Sequence, residues 1–350
     1  MRYRLFGETG IFISEIGLGT MTFSGKGRWA PIGALTPSEA ETLVGTAIDA
    51  GVNFIDTADV YAEGESEKYL GAALGSLKRP RESLIIATKV RGRTGPGPND
   101  VGLSRKHILS SIDESLKRLK LDYVDLYQIH GVDLNTPIEE TVRALDTVVR
   151  SGKARYVGYC NLPAWLAMKA LAYADSSNLM RFVSAQMYYT ATNRDIEREV
   201  VPLAKDQHLA ILPWSPLAGG LLTGKFDMDK PGPKGARRTS YDFPPVEHDR
   251  GKRVLSALRF VADESGVSVA RVAIAWLLSH SYVTSIITGA KTKEQLLDNL
   301  GSSDVRLAAD HVNLINAASE LPPEYPGWMV ERLDHDRRSW ELPAPVKKAA

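Results

Sequence analysis

Four chemically distinct side chains follow three short apolar segments of the chain. Asp56 ends the first segment, and Tyr61 stands five residues further on. Lys89 ends the second segment and His130 ends the third. An acid, a phenol, a primary amine and an imidazole can together move a proton if the fold brings them to one place. We therefore treat these four residues as candidate catalytic groups.

The tyrosine is the candidate proton donor in this set. A phenol has a reference pKa of about 10, so it is a weak acid at neutral pH. A nearby ammonium group stabilises the phenolate, and Lys89 is expected to lower the pKa of Tyr61 in this way. Asp56 is placed to keep the lysine protonated, and His130 can hydrogen-bond the same substrate oxygen. The combination suits proton transfer to a carbonyl oxygen while a hydride arrives at its carbon.

Each candidate also has an ordinary structural interpretation. A lysine after a strand is commonly solvated, and a histidine there can be a satisfied structural residue. Asp56 could simply cap a turn. The catalytic interpretation therefore requires that the elements carrying these residues deliver all of them to one edge of the fold.

Short apolar, β-branched segments alternate with helical patterns along the chain. Continuous apolar segments of this kind are typical of parallel strands covered on both faces. Eight strand–helix alternations favour a closed (β/α)8 barrel, with an open doubly wound sheet as the alternative. In such a barrel, chemistry takes place at the carboxyl ends of the strands. The strand candidates are 15–21, 52–56, 83–89, 123–130, 154–161, 182–186, 209–214 and 284–290.

Helix start signals stand between the strand candidates. Thr36, Thr136 and Thr292 are each followed three residues later by Glu or Gln, the pattern of a capping box. Ser104 is predicted to cap the helix that follows it. These caps predict where four of the helices begin.

The two ends of the chain lie outside the strand–helix alternation. Residues 2–5 and 11–15 predict a β-hairpin that closes the bottom of the barrel. Residues 1–330 are predicted to form one barrel domain. The segment 331–350 is charged and then rich in Pro, Ala and Lys, and we expect it to fray.

Three long loops follow strand candidates at the carboxyl-terminal face. Loops of such length in compact domains are commonly lids or binding loops. The loops are 23–35, 91–103 and 225–251. The candidates for an apolar substrate pocket are Phe23, Trp29 and Tyr188.

Composition argues against several kinds of partner and site. The net charge is +1, from 43 basic and 42 acidic residues, which gives no reason to expect nucleic acid or an acidic membrane. No apolar stretch approaches the ~20 residues of a membrane span, and the first residues lack a signal-peptide pattern. Cys160 is the single cysteine, and no His, Asp or Glu cluster has metal-ligand spacing. We expect a cytoplasmic protein that acts on a small molecule.

One nucleotide-binding motif is matched in part. The segment 219–225 fits the pattern GxxxxGK, but Phe226 stands where a P-loop needs the Ser or Thr that binds magnesium. The Rossmann fingerprint GxGxxG is also incomplete. Neither a P-loop NTPase nor a Rossmann domain is therefore expected.

The segments that carry the candidate residues resemble the aldo-keto reductase superfamily. They occur in the order found in that family, and the similarity extends from residue 1 to about 330. Within the family, the chain is similar to the bacterial, general-stress-protein-like branch and more distantly to potassium-channel β subunits. The segments are "VNFIDTADVYAEGESEKYLG", "IIATKV", "DLYQIH" and "LPWSPLAGGLLTGKF".

This resemblance implies a (β/α)8 barrel that uses NADPH to reduce aldehydes and ketones to alcohols, reversibly. Asp56, Tyr61, Lys89 and His130 match the catalytic tetrad, with Tyr61 as the general acid/base. A second function within the same resemblance is an NADP(H)-bound redox sensor or regulatory subunit with little turnover. The complete tetrad favours the enzyme.

The resemblance also implies a cofactor site along the strand ends. The residues that it assigns to the nicotinamide half are Gly19, Thr20, Met21, Asp56, Cys160, Asn161, Gln186 and Trp214. Those that it assigns to the pyrophosphate are Ser215, Pro216, Leu217, Gly219, Leu221 and Lys225. Those that it assigns to the adenosine are Gly289, Lys291, Gln295, Asp298 and Asn299.

Three features of this assignment bear on cofactor choice and fit. A cation at Lys291 suits the 2′-phosphate of NADP, and Arg237 and Arg238 are further phosphate candidates. Cys160 stands in place of the family's commoner serine, and Asp298 in place of a glutamate.

Overall fold

The strand pattern produces a closed barrel. The computed structural model describes residues 1–230, 232–234 and 236–338. Within them the strands are β1 (Tyr3–Leu5), β2 (Phe12–Ser14), β3 (Ile16–Gly19), β4 (Phe54–Asp56), β5 (Ile85–Val90), β6 (Val124–Ile129), β7 (Ala154–Cys160), β8 (Phe182–Tyr188), β9 (Ala210–Trp214) and β10 (Ile286–Thr288). Strands β3 to β10 lie in chain order and are parallel, and β10 closes the ring beside β3. The predicted (β/α)8 barrel is confirmed, and the open-sheet alternative is wrong.

Helices follow the strands along the chain. They are α1 (Pro37–Asp49), α2 (Glu65–Leu77), α3 (Arg105–Leu119), α4 (Ile138–Arg150), α5 (Ala164–Ser176), α6 (Val200–Asp206), α7 (Arg237–Ser240), α8 (His248–Ser265), α9 (Val269–Leu278), α10 (Lys293–Leu300), α11 (Ala309–Ala318) and α12 (Gly327–Arg338). In the part of the chain that the structure describes, no helix combines the length and the apolar character needed to span a membrane.

Two of the predicted N-caps form as expected. The Thr36 hydroxyl accepts from the Glu39 backbone N–H, and the Glu39 carboxylate accepts from the Thr36 N–H, which is a complete capping box. Ser104 caps α3 by accepting from the His107 N–H at 3.3 Å. These local signals therefore predict correctly where α1 and α3 begin.

The other two caps differ from the prediction. The Thr292 hydroxyl caps α10, but the Gln295 side chain accepts from the Lys291 N–H and so does not complete the box. The box at Thr136 is wrong: the N-cap of α4 is Pro137, which makes no side-chain cap hydrogen bond, while the Thr136 hydroxyl donates to the Asp133 carboxylate at 2.8 Å. Because α4 begins one residue later than the box requires, the Thr136 hydroxyl does not stand at the N-cap position.

The predicted hairpin is present and lies against the barrel. Strands β1 and β2 are antiparallel, with Leu5 opposite Phe12. Phe6 and Ile13 are fully buried and pack in one cluster with apolar residues from inside the barrel, among them Phe54. The hairpin thus covers the amino-terminal end of the strands, as expected.

The barrel interior changes from apolar to polar along its axis. Side chains two residues apart on a strand face the same way, so each strand delivers a series of inward positions. On β4, Phe54 of the apolar cluster is followed by Asp56, and on β6, Leu126 is followed by Gln128. The apolar cluster fills the amino-terminal half, and buried polar groups collect at the carboxyl-terminal end.

The chain divides into two compact units. The first comprises Met1–Ser319, and the second begins at Glu320. Within the second unit, α12 continues past the predicted domain boundary at residue 330. Residues 331–338 are helical, the rest of the tail lies outside the described residues, and the fraying of the tail stays a prediction. The extent of the barrel domain stays a prediction.

A buried carboxylate links β1 to the barrel. Glu15 is fully buried and accepts from Arg2 Nε at 2.7 Å, Arg4 Nη2 at 3.3 Å and Ser303 Oγ at 2.6 Å. Arg4 also donates to the Val283 carbonyl at 2.6 Å. Segments from both ends of the first unit therefore share one buried charge.

We expect Glu15→Gln to lower the free energy of unfolding by about 2–4 kcal/mol, because two guanidinium groups would lose a buried anionic partner. Chemical denaturation measures the change. Glu114→Gln is the matched control, since it removes an exposed partner of Lys117 and should cost less than about 1 kcal/mol. Equal losses in the two variants would contradict the role of Glu15.

Candidate active site

The structure brings the four candidate catalytic residues to the carboxyl-terminal end of the barrel. Asp56 is the last residue of β4, and Lys89 lies near the end of β5. His130 directly follows β6, and Tyr61 begins a short 3-10 helix, Tyr61–Gly64. Asp56, Tyr61 and Lys89 are buried.

The Lys89 ammonium group is fully hydrogen-bonded. It donates to Asp56 Oδ2, to the Thr57 carbonyl at 2.8 Å and to Tyr61 Oη at 3.2 Å. An ammonium has three N–H donors, so none is left over in this buried position. Lys89 therefore stands between the carboxylate and the phenol as the charged centre of the site.

The environment favours one protonation state of each group. Burial works against the lysine cation, but Asp56 and the Tyr61 oxygen outweigh it and raise the pKa of Lys89 above its ordinary value. Burial raises the pKa of Tyr61 to about 12, with Lys89 opposing and Asp56 assisting the rise. Lys89 lowers the pKa of Tyr61 as expected, but desolvation of the phenolate exceeds the attraction of this one cation. Tyr61 is thus a protonated phenol at neutral pH.

His130 lies beside the phenol as a neutral ring. The two ring centroids are 5.6 Å apart and the ring planes meet at 72°. Burial, together with the cations Lys89 and Arg91, holds the pKa of His130 well below its usual range. A neutral imidazole carries one N–H donor, which suits it to orient an oxygen atom beside Tyr61.

Two buried amides complete the partners of Asp56. Gln128 Nε2 donates to Asp56 Oδ1 at 3.0 Å, and Gln186 Nε2 donates to the same oxygen at 2.9 Å. Sequence reasoning missed Gln128. The signal was its place two residues before His130, since alternate residues of a strand face the same side.

The backbone around Tyr61 has an uncommon conformation. Ala62 and Glu63 have φ angles of 46° and 57°, and Gly64 continues the left-handed turn at 88°. The left-handed backbone conformation is energetically costly for residues other than glycine, and such residues are enriched at functional sites. The turn places the phenol over the barrel opening.

The loop 23–35 packs on this turn. Lys26 pairs with Glu63 at 3.4 Å, and the Trp29 ring meets the Tyr61 ring edge-on at 5.3 Å. Trp29 is therefore next to the reactive phenol. Phe23 is instead fully buried in the hydrophobic core, so its assignment to a substrate pocket is wrong.

The residues assigned to the nicotinamide half differ in whether their side chains or only their backbone can contact a cofactor. Gly19 ends β3, and Met21 packs against the small apolar cluster that contains Tyr61. The Thr20 hydroxyl bonds the buried Ser66 hydroxyl at 2.8 Å, so its side chain faces helix α2. Only the backbone of Thr20 is available for the predicted cofactor contact.

A second part of that half surrounds Trp214, the last residue of β9. Its Nε1 donates to Asn161 Oδ1 at 2.9 Å, while Asn161 Nδ2 donates to the His130 carbonyl at 3.3 Å. The Trp214 ring also lies 5.0 Å from Tyr188 and 6.1 Å from Phe243, measured between centroids. An aromatic wall therefore borders the histidine side of the site.

Irregular backbone follows β9 at the positions assigned to the pyrophosphate. Ser215 has a φ of 53°, and its hydroxyl accepts from the Gly219 N–H at 3.0 Å. A Cβ on Gly219 would meet the Phe243 carbonyl at 2.6 Å, so only glycine fits there. The remaining assigned positions are Pro216 and Leu221, which are buried, Leu217, which is half-buried, and Lys225, which is exposed.

Two cations near the adenosine positions fit an anionic group. Burial and then repulsion by Arg237 lower the pKa of Lys291, so the two charges lie close together. Within the described residues, Arg237 Nε is buried and has no hydrogen-bond partner. An unpartnered buried donor beside a second cation suits a phosphate, which accepts several hydrogen bonds.

The other adenosine candidates already have partners within the protein. Asp298 accepts from Ser268 Oγ at 2.7 Å and from Arg271 Nε at 2.9 Å. Asn299 Nδ2 donates to Thr288 Oγ1 at 3.0 Å, just before Gly289 at the end of β10. Their contacts with a cofactor stay predictions.

One buried carboxyl lies behind the site and takes no part in it. Asp59 is almost fully buried, and among the described residues neither of its oxygens has a hydrogen-bond partner of good geometry. Burial and then repulsion by Glu67 raise the pKa of Asp59 well above its usual value, against the weaker effects of Arg118, the Val60 N–H and Lys89. The folded protein therefore keeps the Asp59 proton to a higher pH than the unfolded chain does.

We expect the free energy of unfolding of Asp59→Asn to rise relative to that of the wild type as the pH increases. The increase should begin near pH 4, about the pKa of Asp59 in the unfolded chain, and continue towards its raised pKa in the folded protein. In that window the folded wild type must hold a proton, which costs up to about 1.4 kcal/mol per pH unit, and asparagine has none to hold. Unfolding at several pH values measures the gap. Asp49→Asn, an exposed partner of Arg79, should show no such widening. A difference in stability that stayed constant with pH would contradict the raised pKa of Asp59.

The fold and the site define a class of protein. A (β/α)8 barrel whose strand ends join a buried Asp56–Lys89 pair to a protonated tyrosine is built to transfer a proton. The sequence model of the Aldo/keto reductase family matches residues 15–320, so the chain belongs to that family. The family prediction is confirmed, and membership places the chain among oxidoreductases of carbonyl compounds.

Individual relatives match over nearly their whole length. A "Probable voltage-gated potassium channel subunit beta" of Arabidopsis thaliana is 38% identical over 87% of this chain and 92% of its own. The "Uncharacterized oxidoreductase YrpG" of Bacillus subtilis is 35% identical over 90% of this chain and 95% of its own. The "Versiconal hemiacetal acetate reductase" of Aspergillus parasiticus is 33% identical over 93% of this chain and 99% of its own.

Proposed function

We propose that this protein is an NADPH-dependent reductase of aldehydes and ketones, acting reversibly, with Tyr61 as the general acid/base. The observation that supports this most is that the Lys89 ammonium donates hydrogen bonds to both Asp56 and the Tyr61 oxygen. A buried cation at that point stabilises the phenolate that remains after Tyr61 gives up its proton.

Each of the four residues has a distinct task in this proposal. Tyr61 donates its phenolic proton to the carbonyl oxygen of the substrate as that oxygen gains negative charge. Lys89 holds the resulting phenolate, and Asp56 keeps Lys89 protonated. The neutral His130 ring donates a hydrogen bond to the same oxygen and fixes the orientation of the carbonyl.

NADPH, when bound, would supply the hydride that reaches the carbonyl carbon. Its nicotinamide half would be held by Asn161, Gln186 and Trp214, and its pyrophosphate by the irregular segment after β9. Lys291 and Arg237 would face the 2′-phosphate, which distinguishes NADP from NAD. The unpartnered Arg237 donor supports that assignment.

The substrate is proposed to be a small carbonyl compound with an apolar part. Trp29 lies edge-on against Tyr61, and Tyr188 and Trp214 form an aromatic pair on the other side. Aromatic walls around few polar groups are typical of small-molecule pockets.

A second candidate is an NADP(H)-bound redox sensor or regulatory subunit with little turnover. The Arabidopsis thaliana relative, 38% identical, is named as a probable potassium-channel β subunit, which gives this candidate specific support. The presence of all four candidate catalytic residues favours the enzyme. Many turnovers of NADPH per protein molecule would exclude a sensor, and a single slow turnover would favour one.

We expect Tyr61→Phe to lower kcat for aldehyde reduction by about 10²- to 10⁴-fold, because the general acid is lost. The consumption of NADPH with an aromatic aldehyde measures this. Tyr69→Phe removes a phenol from α2, outside the site, and should leave kcat unchanged. If Tyr61→Phe consumed NADPH as fast as the wild type, the proposed mechanism would be wrong.

We expect Lys291→Met to weaken NADPH binding by about 10-fold or more and NADH binding much less, because only NADPH carries the charge that Lys291 would contact. Fluorescence titration with each cofactor measures both affinities. Lys293→Met, an exposed lysine two residues further on, is the control and should affect neither. Equal losses of affinity for NADPH and NADH would contradict the proposed contact between Lys291 and the 2′-phosphate.

A further inference from the structure

Gln128 is buried at the centre of the site without an assigned role. Its side chain is fully buried, and it lies on β6 beside Lys89 of β5 in the barrel register. Both ends of its amide are occupied. Its Nε2 donates to Asp56 Oδ1 at 3.0 Å, and its Oε1 accepts from Gln186 Nε2 at 3.3 Å.

The surroundings allow this amide only one orientation. Asp56 Oδ1 is a carboxylate acceptor, so a donor must face it. On the other side, Gln186 Nε2 and the Cys160 thiol are donors, and the thiol lies 3.9 Å from Gln128 Oε1. A reversed amide would set an oxygen against the carboxylate and a donor against donors. Gln128 is therefore held rigidly by its neighbours.

Asp56 depends on its amide donors because it is charged and buried. One of its oxygens faces Lys89, and the other accepts only from Gln128 and Gln186 among the described residues. Removing one donor leaves a buried anion partly unsatisfied, which favours a shift of the carboxylate or a closer approach of the ammonium.

The phenol is the contact that such a shift would weaken first. Lys89 donates to the Thr57 carbonyl at 2.8 Å but to Tyr61 Oη at 3.2 Å, the longest of its three hydrogen bonds. The hydrogen bond from the ammonium to the Tyr61 phenol is therefore the weakest of the three, although Tyr61 is the proposed proton donor. The distance of the ammonium from the phenol depends on where Asp56 stands.

We propose that Gln128 is a positioning residue of this site: it holds Asp56 so that the Lys89 ammonium stays in contact with the Tyr61 oxygen. The inference rests on the proposed reductase function and adds to it a residue that touches neither the substrate nor the reacting atoms. Gln128 acts through Asp56, and its effect requires the Asp56 charge.

Two variants remove the amide without changing its size greatly, Gln128→Leu and Gln128→Met. We expect either one to lower the single-turnover rate of aldehyde reduction by roughly 10- to 100-fold, part of the factor that a positioned acid contributes. The Kd for NADPH, measured by fluorescence, should change by less than about threefold, because the altered step is proton transfer.

The decisive measurement repeats the substitution in an Asp56→Asn background. The neutral amide there has no charge with which to hold the ammonium, so Gln128→Leu should lower the remaining rate by less than about twofold. A residue that merely supports the fold would reduce the rate by the same factor in both backgrounds.

Tyr127→Phe is the matched control on the same strand. It removes one buried hydrogen bond, from Tyr127 Oη to the Ile108 carbonyl at 3.2 Å, and its side chain packs in the outer core rather than in the site. Its rate should match that of the wild type.

Three results would overturn the proposal. They are an unchanged rate in Gln128→Leu and Gln128→Met, an undiminished effect in the Asp56→Asn background, and failure of both variants to fold while Tyr127→Phe folds. A wild type that reduces no carbonyl compound with NADPH would overturn the proposed function as well, so the wild-type rate separates the two failures.

Discussion

The ion pair between Lys89 and Asp56 is the interaction on which the site depends. Taking two charges out of water is costly, and their attraction compensates only when the remaining hydrogen-bonding groups are also satisfied. The structure meets this condition, since all three ammonium donors and both carboxylate oxygens have partners. The barrel makes this possible by placing β4 beside β5, with Asp56 opposite Ala87 and Lys89 two residues further on.

The dry interior then decides how the pair acts on its neighbours. The apolar cluster in the amino-terminal half of the barrel, which includes Phe54, keeps water away from the two charges. Their electrostatic interactions with nearby groups are therefore stronger than in water. Burial also keeps Tyr61 protonated and His130 neutral. The site thus holds a proton on the phenol and a neutral donor beside it, the arrangement needed to protonate an oxygen.

Much of the fold could be predicted because the signals are local and repeated. Eight continuous apolar segments alternating with helical patterns predicted the barrel, and Thr36 and Ser104 predicted two helix starts. The prediction at Thr136 was wrong because α4 has Pro137 as its N-cap, so the Thr136 hydroxyl lies one residue before the helix end. Gln128 was missed because one polar residue inside an apolar strand is equally compatible with a packing role.

By itself, the sequence determined which chemical groups reach the barrel rim, since residue type and strand periodicity are both read along the chain. The tertiary structure alone decided their protonation states and their connections. Desolvation and charge–charge attraction depend on neighbours that are distant in sequence, as with Asp56 and Gln186. For that reason the pKa of Tyr61 rises although a lysine stands beside it, and the pKa of Asp59 rises as well.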